Sequence, residues 1–90
     1  MKRRSHVFVS GNVQGVSFRS HVRELAQKHG IQGWVKNRGT DQLEAVFEGE
    51  SDAVQKLVDF CSDGPELAEV EAIMIDDEPH TGEFAGFDVL

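Results

Sequence analysis

The chain has little cysteine and no long apolar run, and each shortage excludes a class of protein. Cys61 is the only cysteine among 90 residues, which excludes an intramolecular disulfide and any metal site built from several cysteines. A lone thiol is typical of a reducing compartment. No stretch approaches the roughly 18 apolar residues of a membrane-spanning helix, and the apolar run after residues 1–4 is too short for a signal peptide. We therefore expect a complete cytoplasmic chain with no membrane partner.

Basic residues are also scarce, with 9 Lys+Arg against 16 Asp+Glu and a formal net charge of −7. That average argues against a nucleic-acid partner, because a phosphate backbone repels an anionic surface. The charge is unevenly distributed, since Glu24 is the only acid in residues 1–40 and Lys56 the only base in residues 41–90. A local positive field for a small anion is therefore compatible with the overall sign, and we expect it from Arg19, Arg23, Lys36 and Arg38.

Length and composition indicate one soluble globular domain spanning residues 1–90. Alternating and helical apolar patterns predict the order β-α-β-β-α-β, followed by a short terminal strand. The predicted strands cover residues 7–9, 31–37, 43–48, 70–75 and 87–90, and the helices follow residues 17 and 51. This order predicts an α+β fold, the ferredoxin-like βαββαβ sandwich, with an antiparallel sheet and both helices on one face.

Polar residues at the element ends predict where the helices start and stop. Ser17 and Ser51 are expected to cap the two helices, and Gly30 is expected to follow the first helix as its C′ residue. The third strand is expected to have one wetter face, which carries Glu44 and Glu48. Residues 76–83 are predicted to form a solvated acidic loop.

The segment 11–19, with the sequence GNVQGVSFR, is the most informative part of the chain. It joins a predicted strand to a predicted helix, and its two glycines let the backbone approach a ligand closely. Successive N–H groups in such a turn, together with the helix start, form a site for an anion such as a phosphoryl group. Arg19 could aim its guanidinium at the same anion. Spacing alone leaves equally open a plain glycine-rich turn with a solvated arginine.

This loop resembles the first signature of the acylphosphatase family over residues 9–19, and residues 33–37 resemble the second, closed by Gly49. Two positions depart from the family pattern: Asp41 stands where the family usually has glycine, and Leu43 where it usually has valine. Asp tolerates the left-handed conformation better than most residues, so the turn is compatible with Asp41. The resemblance covers essentially the whole chain and implies the same βαββαβ fold.

The resemblance implies hydrolysis of carboxyl-phosphate anhydrides to a carboxylate and inorganic phosphate, without a metal. We expect no cofactor, and we expect the chain to act as a monomer. The resemblance implies that Arg19 and Asn37 are catalytic, with Asn37 orienting the attacking water. It also implies a phosphoryl-binding segment made of Asn12, Val13, Gln14, Gly15, Val16, Ser17, Phe18 and Arg19. The chemistry suits so small a set, because a carboxylate with a reference pKa of about 4 leaves without help from a general acid.

Other residues carry weaker signals. Four scattered histidines favour solvated or half-buried roles over a catalytic base, and Cys61 lies on an apolar stripe typical of a core thiol. Phe8 and Trp34 could stack on bases as in an RNA-binding sheet, but the neighbouring Glu44 and Glu48 disfavour RNA. A binding or regulatory module that holds an anion without turnover remains the alternative to an enzyme.

Overall fold

Seven elements follow one another in the computed structural model, which describes residues 1–90. Their order confirms the predicted β-α-β-β-α-β pattern with a short last strand. Neither helix has the length and apolar character needed to traverse a bilayer. The elements are β1 (Lys2–Asn12), α1 (Phe18–Lys28), β2 (Gln32–Arg38), β3 (Gln42–Glu50), α2 (Ser51–Asp63), β4 (Glu69–Glu78) and β5 (Phe87–Val89).

The five strands form one sheet in the order β4-β1-β3-β2-β5. Strand β3 pairs antiparallel with both β1 and β2, and β4 pairs antiparallel with the other edge of β1. The predicted ferredoxin-like sandwich is confirmed, but the sheet is mixed rather than wholly antiparallel, because β5 runs parallel to β2. The chain reaches β5 after crossing the sheet through residues 79–86, and that crossing sets the direction of β5.

Both helices bury one apolar stripe against the same face of the sheet. In α1 the buried side chains are Phe18, Val22 and Ala26, which recur every fourth residue, while Leu25 is only partly buried. In α2 the stripe ends at Cys61, which is fully buried, and burial raises the pKa of its thiol to about 12. Cys61 is therefore a core residue, as its position on the stripe predicts.

Ser17 occupies the predicted N-cap position of α1 but forms no capping bond, and the predicted cap at Ser51 is wrong. Ser17 precedes α1 in the left-handed conformation (φ 60°) and makes no capping hydrogen bond through its side chain, whereas a capping serine needs extended backbone. Glu50 occupies the extended position before α2, so that Ser51 is already helical. At the other end of α1, Gly30 adopts φ +67°, as predicted for a residue that follows the last turn.

Strands β1 and β4 are longer than the apolar segments that predicted them, and ion pairs join the added residues. Arg3 lies 3.2 Å from Asp77, and Arg4 lies 2.7 Å from Glu78 on the neighbouring strand. Residues 76–78, predicted to be loop, therefore belong to β4. Cross-strand pairs of opposite charge stabilise a strand whose composition alone is typical of a loop.

The outer face of β3, on the side of the sheet away from the helices, is covered rather than wet. Glu44 is 8% exposed and Glu48 is 0% exposed. The segment of residues 79–86 lies over this face, and the backbone N–H groups of Thr81 and Gly82 donate to the Glu48 carboxylate at 3.0 Å each. The prediction of a wetter face is therefore wrong, whereas the acidic residues 76–83 are exposed as predicted, except for the half-buried Glu78.

The close approach of β2 to β3 at Gly33 can be tested by substitution. Gly33 has φ +139°, and a Cβ placed there would lie 1.9 Å from the carbonyl oxygen of Val46. We expect Gly33→Ala to lower the free energy of unfolding by about 3 kcal/mol, because rigid backbone must move. Gly39 also has a positive φ but has open space around it, so Gly39→Ala should cost about 1 kcal/mol. Urea unfolding of both variants checks this, and equal losses would contradict it.

Candidate active site

A polar pocket opens where the β1–α1 loop meets the end of β2. Its cavity volume is about 310 Å³. Strands β1 and β2 run in the same direction because both pair antiparallel with β3, so their carboxyl ends reach the same edge of the sheet. The lining residues are Val13, Gly15, Ser17, Phe18, Arg19, Ser20 and Asn37.

The loop backbone has the shape of an anion-binding nest. Gly15 (φ 71°) and Ser17 (φ 60°) both adopt the left-handed conformation, on either side of Val16. Alternation of left-handed and ordinary residues turns successive N–H groups toward one point. The loop then enters α1 at Phe18, where the unpaired N–H groups and the positive end of the helix dipole also favour an anion.

The loop is tied to the rest of the sheet at its first residues. Gly11 donates its N–H to the carbonyl of Asp41 at 3.0 Å, and Val13 donates to the carbonyl of Gly11 at 3.0 Å. A Cβ at Gly11 would lie 2.2 Å from the carbonyl oxygen of Glu69 on β4. Only glycine lets the end of β1 approach β4 so closely, and this approach sets where the loop begins.

The side chain of Gln14 connects the loop to the β2–β3 turn. Its amide nitrogen lies 2.9 Å from the carbonyl oxygen of Gln42, 3.1 Å from that of Gly39 and 3.4 Å from that of Arg38. This turn begins one residue after Asn37. Gln14 therefore holds the loop and the end of β2 in a fixed relation to one another, while its own side chain points away from the pocket.

Arg19 lies in the first turn of α1, on the pocket wall. Its Nη1 donates to the main-chain oxygen of Leu90 at 3.3 Å, just beyond β5, and we find no other protein acceptor on the guanidinium. A guanidinium carries five N–H donors, so several stay available to a ligand in the pocket. The bond to Leu90 orients the guanidinium and leaves its other N–H groups free to donate.

Asn37 enters the same pocket from β2. Its Oδ1 is buried and has no hydrogen-bond partner within the protein. Buried polar atoms are rarely left unsatisfied, and those that are call for a functional or solvent explanation. An acceptor held at the wall of an anion pocket is suited to receive a hydrogen bond from a water molecule beside that anion.

The structure brings most of the predicted site residues together. Three of them do not line the pocket: Asn12 is exposed and pairs with Glu69 across β1 and β4, Gln14 faces the β2–β3 turn, and Val16 lines a separate shallow cavity. Ser20 lines the pocket but was not predicted. The signal for it was its place beside Arg19 in the first turn of the helix.

The expected positive field around the pocket is smaller than the sequence indicates. Lys36 and Arg38 lie on the outer face of the sheet, where they approach the Glu44 carboxylate at 3.9 and 3.5 Å. Side chains alternate along a strand, so these two point away from the face that Asn37 shares with the pocket. The anion-binding charge at the pocket therefore comes from Arg19, the loop N–H groups and the helix start.

The side chains with weaker signals have structural contacts. His6 lies between Glu44 (2.7 Å) and Glu78 (3.0 Å), and no histidine lines the pocket. Phe8 stacks on His6, with their ring centroids 4.6 Å apart. Lys36 lies over the ring of Trp34 at 5.3 Å. No group of three or more His, Cys, Asp or Glu side chains is arranged to hold a metal ion.

The sequence and the fold were compared with known proteins. The family model described as acylphosphatase matches residues 5–89. The chain belongs to the acylphosphatase family. It is 51% identical over 87 residues to an acylphosphatase of Roseiflexus sp., a match that covers 97% of this chain and 94% of the relative.

Solved acylphosphatases have the same fold along their whole length. The acylphosphatase of Bacillus subtilis superimposes with a TM-score of 0.91 at 31% identity, covering 100% of this chain and 99% of that one. The acylphosphatase of Coxiella burnetii gives a TM-score of 0.91 at 35% identity, covering 99% and 93%. The resemblance seen in the two signatures therefore extends to the entire architecture.

The contacts of Gln14 generate a prediction about anion binding. Gln14→Leu keeps a side chain of similar size but removes the amide that joins the loop to the turn, so the loop loses its fixed position. We expect the dissociation constant for inorganic phosphate, measured by NMR titration, to rise about tenfold. In the variant the loop is ordered only when phosphate binds, and the entropy lost in that ordering reduces the affinity. Gln32→Leu, at an exposed position of β2, is the matched control. Equal effects of the two variants would contradict the role of the Gln14 amide.

Proposed function

We propose that the chain hydrolyses acyl phosphates to a carboxylate and inorganic phosphate, with Arg19 and Asn37 as its catalytic residues. One observation carries this proposal above the others. The unpartnered Oδ1 of Asn37 lies in the same pocket as the guanidinium of Arg19 and the left-handed loop backbone. A pocket that only held an anion would have no need of a free acceptor beside it, so the arrangement favours turnover over the anion-binding alternative.

In the proposed reaction, the phosphoryl group of the substrate occupies the loop. Backbone N–H groups of residues 15–18 and the guanidinium of Arg19 donate hydrogen bonds to its non-bridging oxygens. Charge spreads over these oxygens in a loose phosphoryl-transfer transition state. Donors already aimed at them stabilise the transition state without reorganising, which is the main source of the proposed rate enhancement.

Asn37 would hold the nucleophile. Its Oδ1 accepts a hydrogen bond from a water molecule, so that the water oxygen faces the phosphorus opposite the acyl oxygen. The new bond forms between water and phosphorus while the bond from phosphorus to the acyl oxygen breaks. The electron pair of the broken bond stays on the carboxylate, and the water gives up one proton to the phosphate formed or to solvent.

The substrate class follows from the leaving group. A carboxylate leaves as a weak base, with a reference pKa of about 4, so no side chain has to protonate it. An alkoxide leaves poorly without such help, and neither Arg19 nor Asn37 offers a ready proton. Acyl phosphates are therefore proposed as substrates, and phosphate monoesters as poor ones.

We also propose that the chain acts as a monomer in a reducing, cytoplasmic setting, on small anions rather than nucleic acid. Arg19 and Asn37 come from one chain, so the pocket needs no second copy. The only cysteine, Cys61, is fully buried. The net charge of −7 opposes polyanions, whereas the local donors of the pocket suit a single phosphoryl group.

Turnover itself is the first test. We expect benzoyl phosphate to be hydrolysed in an excess of chelator, with phenyl phosphate at least about a hundredfold slower because its leaving group is the stronger base. Release of benzoate, followed by absorbance, measures the first rate, and release of phosphate measures the second. Absence of turnover above the uncatalysed rate would refute the enzyme proposal. Turnover that stops with chelator would refute only its independence of metal.

Two substitutions separate the proposed roles. Arg19→Gln should lose about a thousandfold in kcat/KM and also bind phosphate more weakly, because it removes a charged donor present in both states. Asn37→Ala should lower kcat by at least about a hundredfold with little change in KM, because the water interacts only on the way to the transition state. Steady-state kinetics on benzoyl phosphate give both constants.

Arg23→Gln is the matched control for the arginine. Arg23 lies one turn further along α1 and is exposed. Its substitution therefore changes the net charge by the same amount but leaves the pocket intact. A loss as large as that of Arg19→Gln would show that general charge, rather than a placed guanidinium, drives the reaction. Circular dichroism of each variant confirms that it is folded.

A further inference from the structure

A buried carboxylate on the outer face of the sheet is left unused by the proposed reaction. Glu48 is 0% exposed, although it lies on the side of β3 opposite the helices. Its Oε2 accepts hydrogen bonds from the Thr81 N–H (3.0 Å), the Thr81 hydroxyl (2.9 Å) and Arg4 (2.9 Å). Its Oε1 accepts from the Gly82 N–H at 3.0 Å and lies 3.6 Å from His80.

These contacts make Glu48 an anchor for the 79–86 segment. Burial by itself raises the pKa of the carboxyl, but the hydrogen bonds from Thr81, Arg4 and Gly82 outweigh it and lower the pKa to about 2. The group is therefore ionised at neutral pH. A buried charge that loses its partners is expensive, so the carboxylate holds the backbone of residues 81 and 82 firmly in place.

The anchored segment leads directly to the contact on Arg19. Gly86 accepts a hydrogen bond from the Gly33 N–H at 3.0 Å, and the chain then forms β5 beside β2. Beyond β5, Leu90 donates its N–H to the carbonyl of Val35 at 2.9 Å and receives the bond from Arg19 at 3.3 Å.

Strand β5 is too short to hold itself. It has three residues, and each of its few backbone hydrogen bonds contributes little net stability. Its side chains add the ring of Phe87, which stacks on Phe47 with ring centroids 5.8 Å apart, and Val89, which packs against the core. The position of Leu90 therefore depends both on these contacts and on what holds the segment before β5.

We propose that Glu48 is a positioning residue for Arg19. By holding Thr81 and Gly82, it fixes β5 and hence the main-chain oxygen of Leu90, which orients the guanidinium from across the sheet. This inference rests on the proposed function, in which Arg19 binds the phosphoryl group. It predicts that loss of the anchor disorders the guanidinium and so weakens its bonds to the phosphoryl group in both the ground state and the transition state.

Glu48→Gln and Thr81→Val test the anchor in two ways. The first removes the charge. The second removes the hydroxyl and its hydrogen bonds to Glu48, Arg4 and Glu83, while the ion pair between Arg4 and Glu48 is kept. We expect both to raise the phosphate dissociation constant and the KM for benzoyl phosphate about fivefold and to lower kcat as well, because a misplaced guanidinium binds the phosphoryl group less well in the ground state and in the transition state. Thr81→Ser, which keeps the hydroxyl, should restore wild-type values.

Glu50→Gln is the matched control. Glu50 ends the same strand and is ion-paired with the N-terminal amine and Lys2, but it makes no contact with the 79–86 segment. It should leave phosphate affinity and KM at wild-type values. Assays run well below the midpoint of thermal unfolding of each variant, so that all molecules counted are folded.

The outcomes separate this inference from the proposed function. If Thr81→Val, or a folded Glu48→Gln, melts earlier but keeps wild-type phosphate affinity and KM, the anchor serves only stability and the inference is refuted. If Glu48→Gln does not fold, the difference between Thr81→Val and Thr81→Ser decides. Phosphate affinity is measured without turnover, so an unchanged affinity in Arg19→Gln would instead contradict the proposed role of Arg19.

Discussion

Strand β3 forms backbone hydrogen bonds along both of its edges, antiparallel to β1 on one side and to β2 on the other. Two strands that are each antiparallel to a third must run in the same direction. The loop after β1 and the last residues of β2 therefore emerge at one edge of the sheet, separated by the width of a single strand. The pocket, the turn held by Gln14 and the approach of Asn37 to Arg19 all depend on this arrangement.

The local part of the site could be predicted from the sequence, because a short segment determines it. The glycines and Arg19 stand in one contiguous loop, and Asn37 ends a recognisable strand, so their meeting follows from the strand order. The conformation of Ser17 could not be predicted in the same way. Serine before a helix is typical of a cap, but here the loop needs a left-handed residue at that position. The backbone conformation of the anion-binding loop overrides the local preference of serine for a capping position.

Long-range contacts account for the other wrong predictions. The burial of Glu48 depends on residues more than 30 positions later in the chain, which no periodicity within β3 can indicate. Two of the four residues expected to supply a positive field, Lys36 and Arg38, are instead paired with Glu44 on the outer face. The basic first half and the acidic second half of the chain largely meet one another across the sheet, so the charge division stabilises the fold more than it shapes the pocket.

Strand β4 forms one edge of the sheet, with a row of backbone groups open to further pairing. Its exposed side chains include Met74 and Ile75, which could attach to a similar strand. The same strand carries five acids and no base, and three of the acids, Glu69, Glu71 and Asp76, have no ion-pair partner. A second copy laid against this strand would therefore bring like charges together. Repulsion between these carboxylates opposes edge-to-edge pairing of sheets, and it weakens wherever acid neutralises the carboxylates or salt screens their charges.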